Sequence, residues 1–78
     1  MSSTFRMEIR KVFARNLRHW RKARNLSQEE LAYEAGIDRT YVSALERQIY
    51  SVSIDTLGKL AHVLKVEPSE LLVQTRRS

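Results

Sequence analysis

Ser27-Gln28-Glu29-Glu30-Leu31-Ala32-Tyr33-Glu34-Ala35-Gly36-Ile37-Asp38-Arg39-Thr40-Tyr41-Val42-Ser43-Ala44-Leu45-Glu46-Arg47 is the stretch whose reading decides the fold of this chain. Ser27 stands three residues before Glu30, the spacing at which the hydroxyl accepts from the backbone N–H and the carboxylate reaches back, so a helix starts at Gln28. Leu31, Ala32 and Ala35 follow at helical spacing and give that helix one apolar face. Gly36 adopts a positive φ without a Cβ clash and ends it. Ile37 plugs the corner, and Asp38 is a good N-cap for a second helix beginning at Arg39.

On that second helix Val42 and Leu45 lie one turn apart and point inward. At about 100° per residue, Arg39, Thr40, Ser43, Ala44 and Arg47 project the other way. A face of small and donor-rich side chains can lie close to base edges in a groove, although such residues also make ordinary solvated surfaces. The whole succession of cap, apolar helix, Ala-Gly-Ile turn, second cap and short polar-faced helix decides for a helix-turn-helix.

Residues 13–72 resemble the lambda-repressor-like (Cro/C1, XRE-type) DNA-binding domain. Within that family, Asp38-Arg39-Thr40-Tyr41-Val42-Ser43 followed by Leu45-Glu46-Arg47 is similar to the controller proteins of restriction–modification systems. The resemblance implies an all-α, compact five-helix fold with the helix-turn-helix at helices two and three. It also implies an ion pair between Arg21 and Glu46 that ties helix one to the recognition helix. Gln28 matches a family position that grips phosphate and braces the reading helix. The family usually carries Gly, basic residues, Asn and often Pro after the recognition helix; Gln48-Ile49-Tyr50-Ser51-Val52 has none of these. Ile49, Tyr50 and Val52 therefore either pack down on the domain or join a subunit contact, and the Tyr50 hydroxyl is a further candidate phosphate donor.

Composition agrees. Seventy-eight residues make one domain, and at this size about 60% of the unfolded surface is buried. Fourteen Lys+Arg against nine Asp+Glu give a net charge of +5, which favours an anionic partner, nucleic acid first. No segment approaches the roughly 18 apolar residues of a spanning helix, so no membrane partner is expected. The absence of cysteine excludes disulfides and thiolate metal sites and makes the cytoplasm the expected compartment. An apolar signal region is not expected at the N-terminus.

In chain order, residues 1–8 are either a flexible lead-in or an extension of the first helix through Phe5 and Met7, residues 9–74 form the DNA-binding domain, and residues 75–78 form a tail. Ile9, Phe13, Leu17 and Trp20 form the stripe of an amphipathic first helix from Ile9 to Arg24. Its basic residues are either a solubilising face or, for Arg15, Arg18 and Arg24, phosphate contacts. Ser53 caps a fourth helix, Ile54 to Leu64, with Leu57, Leu60, Ala61 and Leu64 inward. Pro68 opens a fifth helix. Its Leu71, Leu72 and Val73 cannot all face one core, and resembling dimeric repressors bury such residues against a twin. A homodimer through Leu71, Leu72, Val73 and Val66 is therefore expected.

No enzyme is read here. His19 and His62 are far apart without Cys or carboxylate at ligand spacing, so no metal is expected, and no cofactor or small-molecule ligand is implied. Glu29-Glu30 is a first turn favoured by the helix dipole, not an acid–base pair. The expected function is sequence-specific binding of double-stranded DNA to regulate transcription, as a homodimer on a near-palindromic operator. Arg39, Thr40, Ser43 and Ala44 read bases, while Gln28, Tyr41, Arg47, Arg18 and Arg24 hold phosphates. The alternative is an antitoxin or anti-repressor whose apolar carboxyl end binds a different protein, and which can also bind DNA. The lack of a long tail to wrap a toxin counts against it.

Overall fold

A computed structural model of the chain describes residues 2–74, with side chains described from Ile9 onward. Among the described residues there are four α-helices and one 3₁₀ turn, and no strand: α1 (Ser2–Ala23), α2 (Gln28–Ala35), α3 (Arg39–Glu46), α4 (Ile54–Leu64) and the turn Pro68–Leu71. The boundaries of α2 to α4 follow their caps. Ser27 Oγ accepts from Glu30 N at 2.9 Å while Glu30 Oε1 accepts from Ser27 N at 2.8 Å. Gly36 takes φ 71°, Asp38 Oδ1 accepts from Thr40 N at 2.9 Å, and Ser53 Oγ accepts from Thr56 N at 3.1 Å.

One core fills the centre. Phe13 and Leu17 from α1, Leu31 and Ala32 from α2, Val42 and Leu45 from α3, and Leu57, Leu60, Ala61 and Leu64 from α4 meet there. Each fully buried Leu or Val contributes about 1.5–3 kcal/mol relative to an exposed one. Trp20, Leu26, Ile37, Val52 and Val66 close its edge.

Two expectations about the ends of the chain change. The backbone of residues 2–8 is helical, so α1 begins at Ser2 rather than Ile9; the side chains of Phe5 and Met7, and the tail 75–78, lie outside the described residues. Ile9 opens the apolar stripe in sequence, yet it is exposed, because the core ends one turn later at Phe13. The fifth helix does not form: the chain makes a single 3₁₀ turn after Pro68 and stops there. Asn16 fastens this turn to α1. Buried there, it donates Nδ2 to Leu71 O at 3.1 Å and Val73 O at 2.8 Å. Leu71 is thereby drawn fully into the protein's own core.

Candidate nucleic-acid interface

Helix α3 is eight residues long and owes its orientation to contacts at both ends and beneath. Val42 and Leu45 are 0% and 1% exposed and anchor the inner side. On the flank toward α1, the Glu46 carboxylate accepts from Arg21 Nε at 2.7 Å, Arg21 Nη2 at 3.1 Å and Gln28 Nε2 at 3.0 Å. Arg21 Nη1 also donates to Leu26 O at 2.9 Å. A planar guanidinium matches a carboxylate with two parallel bonds, so the pair fixes angle as well as distance. The Arg21–Glu46 pair expected from the resemblance is therefore present, and Gln28 braces the same carboxylate.

The outward side carries Arg39 and Thr40, both exposed, with Ser43 half-buried between them and Arg47 exposed at the C-terminal end. At the N-terminus Asp38 Oδ1 accepts from Thr40 N and, at 2.8 Å, from Thr40 Oγ1. The backbone bond to Thr40, then its hydroxyl, hold the Asp38 carboxyl below its ordinary 3.8, with a smaller contribution from Arg39. The Asp38 charge thus stays on while Thr40 is held in one rotamer beside Arg39.

Several expected site residues sit differently. Ala44 is buried and cannot offer its methyl group outward. The chain leaves α3 through Gln48 at φ 65° and turns back, so that Ile49 N bonds to Ala44 O at 2.9 Å and the returning chain covers that side. Arg24 is exposed but tied to the domain: its Nε donates to Leu64 O at 2.7 Å and its guanidinium lies 5.0 Å from the Trp20 ring centroid. A cation at the C-terminal end of α4 satisfies an otherwise unpaired carbonyl, which explains the capture. The Tyr41 hydroxyl donates to Ser51 O at 3.3 Å at the surface, and its ring tilts against Tyr50 at 6.2 Å. Of the residues expected at a dimer contact, Leu71 is fully buried and Val66 packs on the core edge; Leu72 and Val73 remain exposed.

Arg15 and Arg18 are exposed on α1, as are Lys11 and Lys22. At about 100° per residue these four side chains share one stripe about 60° wide, turned away from Phe13 and Leu17 and beginning next to the Arg21 side that faces α3. Among the described residues no group of His, Cys, Asp or Glu is placed to hold a metal ion. No described helix is long and apolar enough to cross a membrane. Asn16, which fastens the chain's last turn, and Ile49, whose N–H bonds to Ala44 O, are absent from the expected set. The signal for Asn16 was a polar residue on the apolar side of an amphipathic helix.

A helix-turn-helix domain profile matches residues 17–71. The chain is 42% identical over 66 residues to a hypothetical transcription factor of Neisseria meningitidis, an alignment covering 85% of this chain and 62% of that protein. It is 40% identical over 68 residues to the control protein C.SmaI of Serratia marcescens, covering 87% and 81% of the two chains. Among solved structures, the restriction–modification controller protein C.AhdI of Aeromonas hydrophila superposes with a TM-score of 0.77 at 45% identity, covering 80% of this chain and 94% of that one. The biofilm regulator SinR, solved in complex with DNA, does so with a TM-score of 0.76 at 34% identity, covering 78% and 98%.

Proposed function

Because the chain belongs to the helix-turn-helix family, we propose that it is a regulator of transcription that binds duplex DNA by placing α3 in the major groove. The observation that carries this reading is the two-sidedness of α3. Val42 and Leu45 are sealed beneath, Glu46 is locked to Arg21 and Gln28, and Arg39, Thr40 and Arg47 are exposed together. Arg39 at the N-terminal end of the helix reaches guanine O6 and N7, a bidentate acceptor pair that only guanine presents in the major groove. Thr40 and Ser43 contact neighbouring base edges. Arg47 and Arg18 approach phosphates from the two sides of α3, and Gln28 joins them at the start of α2. The net charge of +5 supplies the attraction that brings the domain to DNA.

The regulator acts as a homodimer on a near-palindromic operator, with the two copies of α3 roughly 34 Å apart. Leu72 and Val73, exposed beside a shallow apolar cleft lined by Ile9, Phe13, Tyr50, Ile54 and Leu57, support a contact between copies at this end of the domain. The controller-protein relatives support a role next to a restriction–modification system.

The test is titration of wild-type protein and Arg39→Ala against a selected duplex and against random DNA. Arg39→Ala is expected to cost about 1–3 kcal/mol on the selected duplex and far less on random DNA. Equal losses on both would remove Arg39 from base reading.

A further inference from the structure

The four described helices all end in one way. Asn25, Gly36, Gln48 and Lys65 take left-handed backbone angles, with φ of 60°, 71°, 65° and 61°. The residue after each is apolar, and its N–H reaches back five residues: Leu26 to Arg21 O at 3.0 Å, Ile37 to Ala32 O at 2.9 Å, Ile49 to Ala44 O at 2.9 Å and Val66 to Ala61 O at 3.1 Å. In this helix-ending arrangement the apolar residue folds back over the last turn. Leu26, Ile37 and Val66 use the position to close the edge of the core. Ile49 does not, and remains 49% exposed.

Its place explains what the exposure is for. Ile49 lines a shallow cleft of about 280 Å³ together with Thr40, Ala44, Arg47 and Tyr50. Thr40 lies on the base-reading side of α3 and Arg47 at its phosphate end, and Ile49 shares their cleft. The Thr40 hydroxyl already donates to Asp38 Oδ1, so what the cleft adds to the reading side is the apolar surface of the isoleucine, which calls for an apolar group. A phosphate offers none. In the major groove thymine does, through its 5-methyl group. We propose that Ile49 is a specificity-determining residue that packs against a thymine 5-methyl group in the major groove, beside the bases approached by Thr40. It takes the methyl-contacting role that Ala44, covered by the returning chain, cannot fill. The inference rests on the DNA-binding reading above.

The test uses the full chain and a duplex that the wild-type protein selects from a random pool, with deoxyuridine replacing each thymidine in turn. This deletes one methyl group and leaves every hydrogen bond. At one thymine or more per half-site, wild-type binding should weaken about fourfold, the size of one buried methyl group. In Ile49→Ala that preference for thymine over uracil should fall to unity. Each ratio compares two DNAs with the same protein, so a loss of folded fraction cancels. A wild-type ratio of unity at every thymine, or a ratio that survives Ile49→Ala, overturns the inference while DNA binding stands. Failure to enrich any duplex overturns the DNA reading itself. Dissociation of the free protein caused by Ile49→Ala, with the thymine preference intact, would assign Ile49 to a second copy and overturn the inference as well.

Discussion

Removing the Glu46 carboxylate should destabilise the domain through Arg21 more than through any contact that Glu46 makes itself. Glu46 is 4% and Arg21 11% exposed on the side chain, and three charged or polar hydrogen bonds end on the one carboxylate. Glu46→Ala leaves a nearly buried guanidinium with Leu26 O as its remaining partner. Breaking a buried pair from one side costs about 3–5 kcal/mol. The surviving bond to Leu26 and the residual access of water to Arg21 place this case near the lower end, about 3 kcal/mol. A domain of this length has a total stability of roughly 4–12 kcal/mol, so the loss is a large fraction of it. In melting temperature it corresponds to a fall of roughly 12–24 °C, at about 4–8 °C per kcal/mol. The assay is thermal unfolding followed by circular dichroism, with urea titration to confirm that the slope with denaturant is unchanged. Arg21→Met/Glu46→Leu, which removes both charges and keeps the volume, should recover most of the loss because no charge is left stranded. A Glu46→Ala protein melting within roughly 3 °C of the parent, less than 1 kcal/mol, would refute the reasoning.

Three further outcomes are expected. Asn16→Ala removes the donor to Leu71 O and Val73 O and should cost about 1–3 kcal/mol, with hydrogen exchange accelerated first in the Pro68–Leu71 turn; unchanged exchange there would separate Asn16 from the turn. Gln48→Gly relieves a non-glycine residue held at φ 65° and should stabilise the protein by up to roughly 1 kcal/mol in urea unfolding, the gain being trimmed by the freer unfolded chain. Asp38 has its folded pKa lowered beneath 3.8, so its contribution is complete above that value and is lost as pH falls through the lower folded value. Asp38→Asn keeps a capping oxygen and should flatten that part of the stability profile between about pH 2 and 5; parallel profiles for the two proteins would contradict the linkage.

Local chemistry carried most of the fold in the sequence. Ser27 with Glu30, Gly36, Asp38 and Ser53 act within a few residues of themselves, and the ends of α2, α3 and α4 follow from them. What the sequence hid depends on partners far along the chain. Asn16 pins the last turn from 57 residues away at Val73, and Arg24 is tied to Leu64, 40 residues on. Ala44 lies on the outward side by helical spacing, and only the return of the chain through Ile49 covers it. At the candidate site the polar outward residues and the bracing pair were therefore legible, whereas the apolar neighbour of the reading face was not.

The central claim is that the outward side of α3 occupies the major groove, and guanine N7 reports on that groove alone. Dimethyl sulfate protection of a selected duplex should show shielded guanine N7 atoms in two half-sites about one helical turn apart. With Arg39→Ala, at concentrations that keep the duplex bound, one guanine per half-site should regain full reactivity. Guanine N7 atoms that stay reactive in the bound wild-type complex would contradict the account.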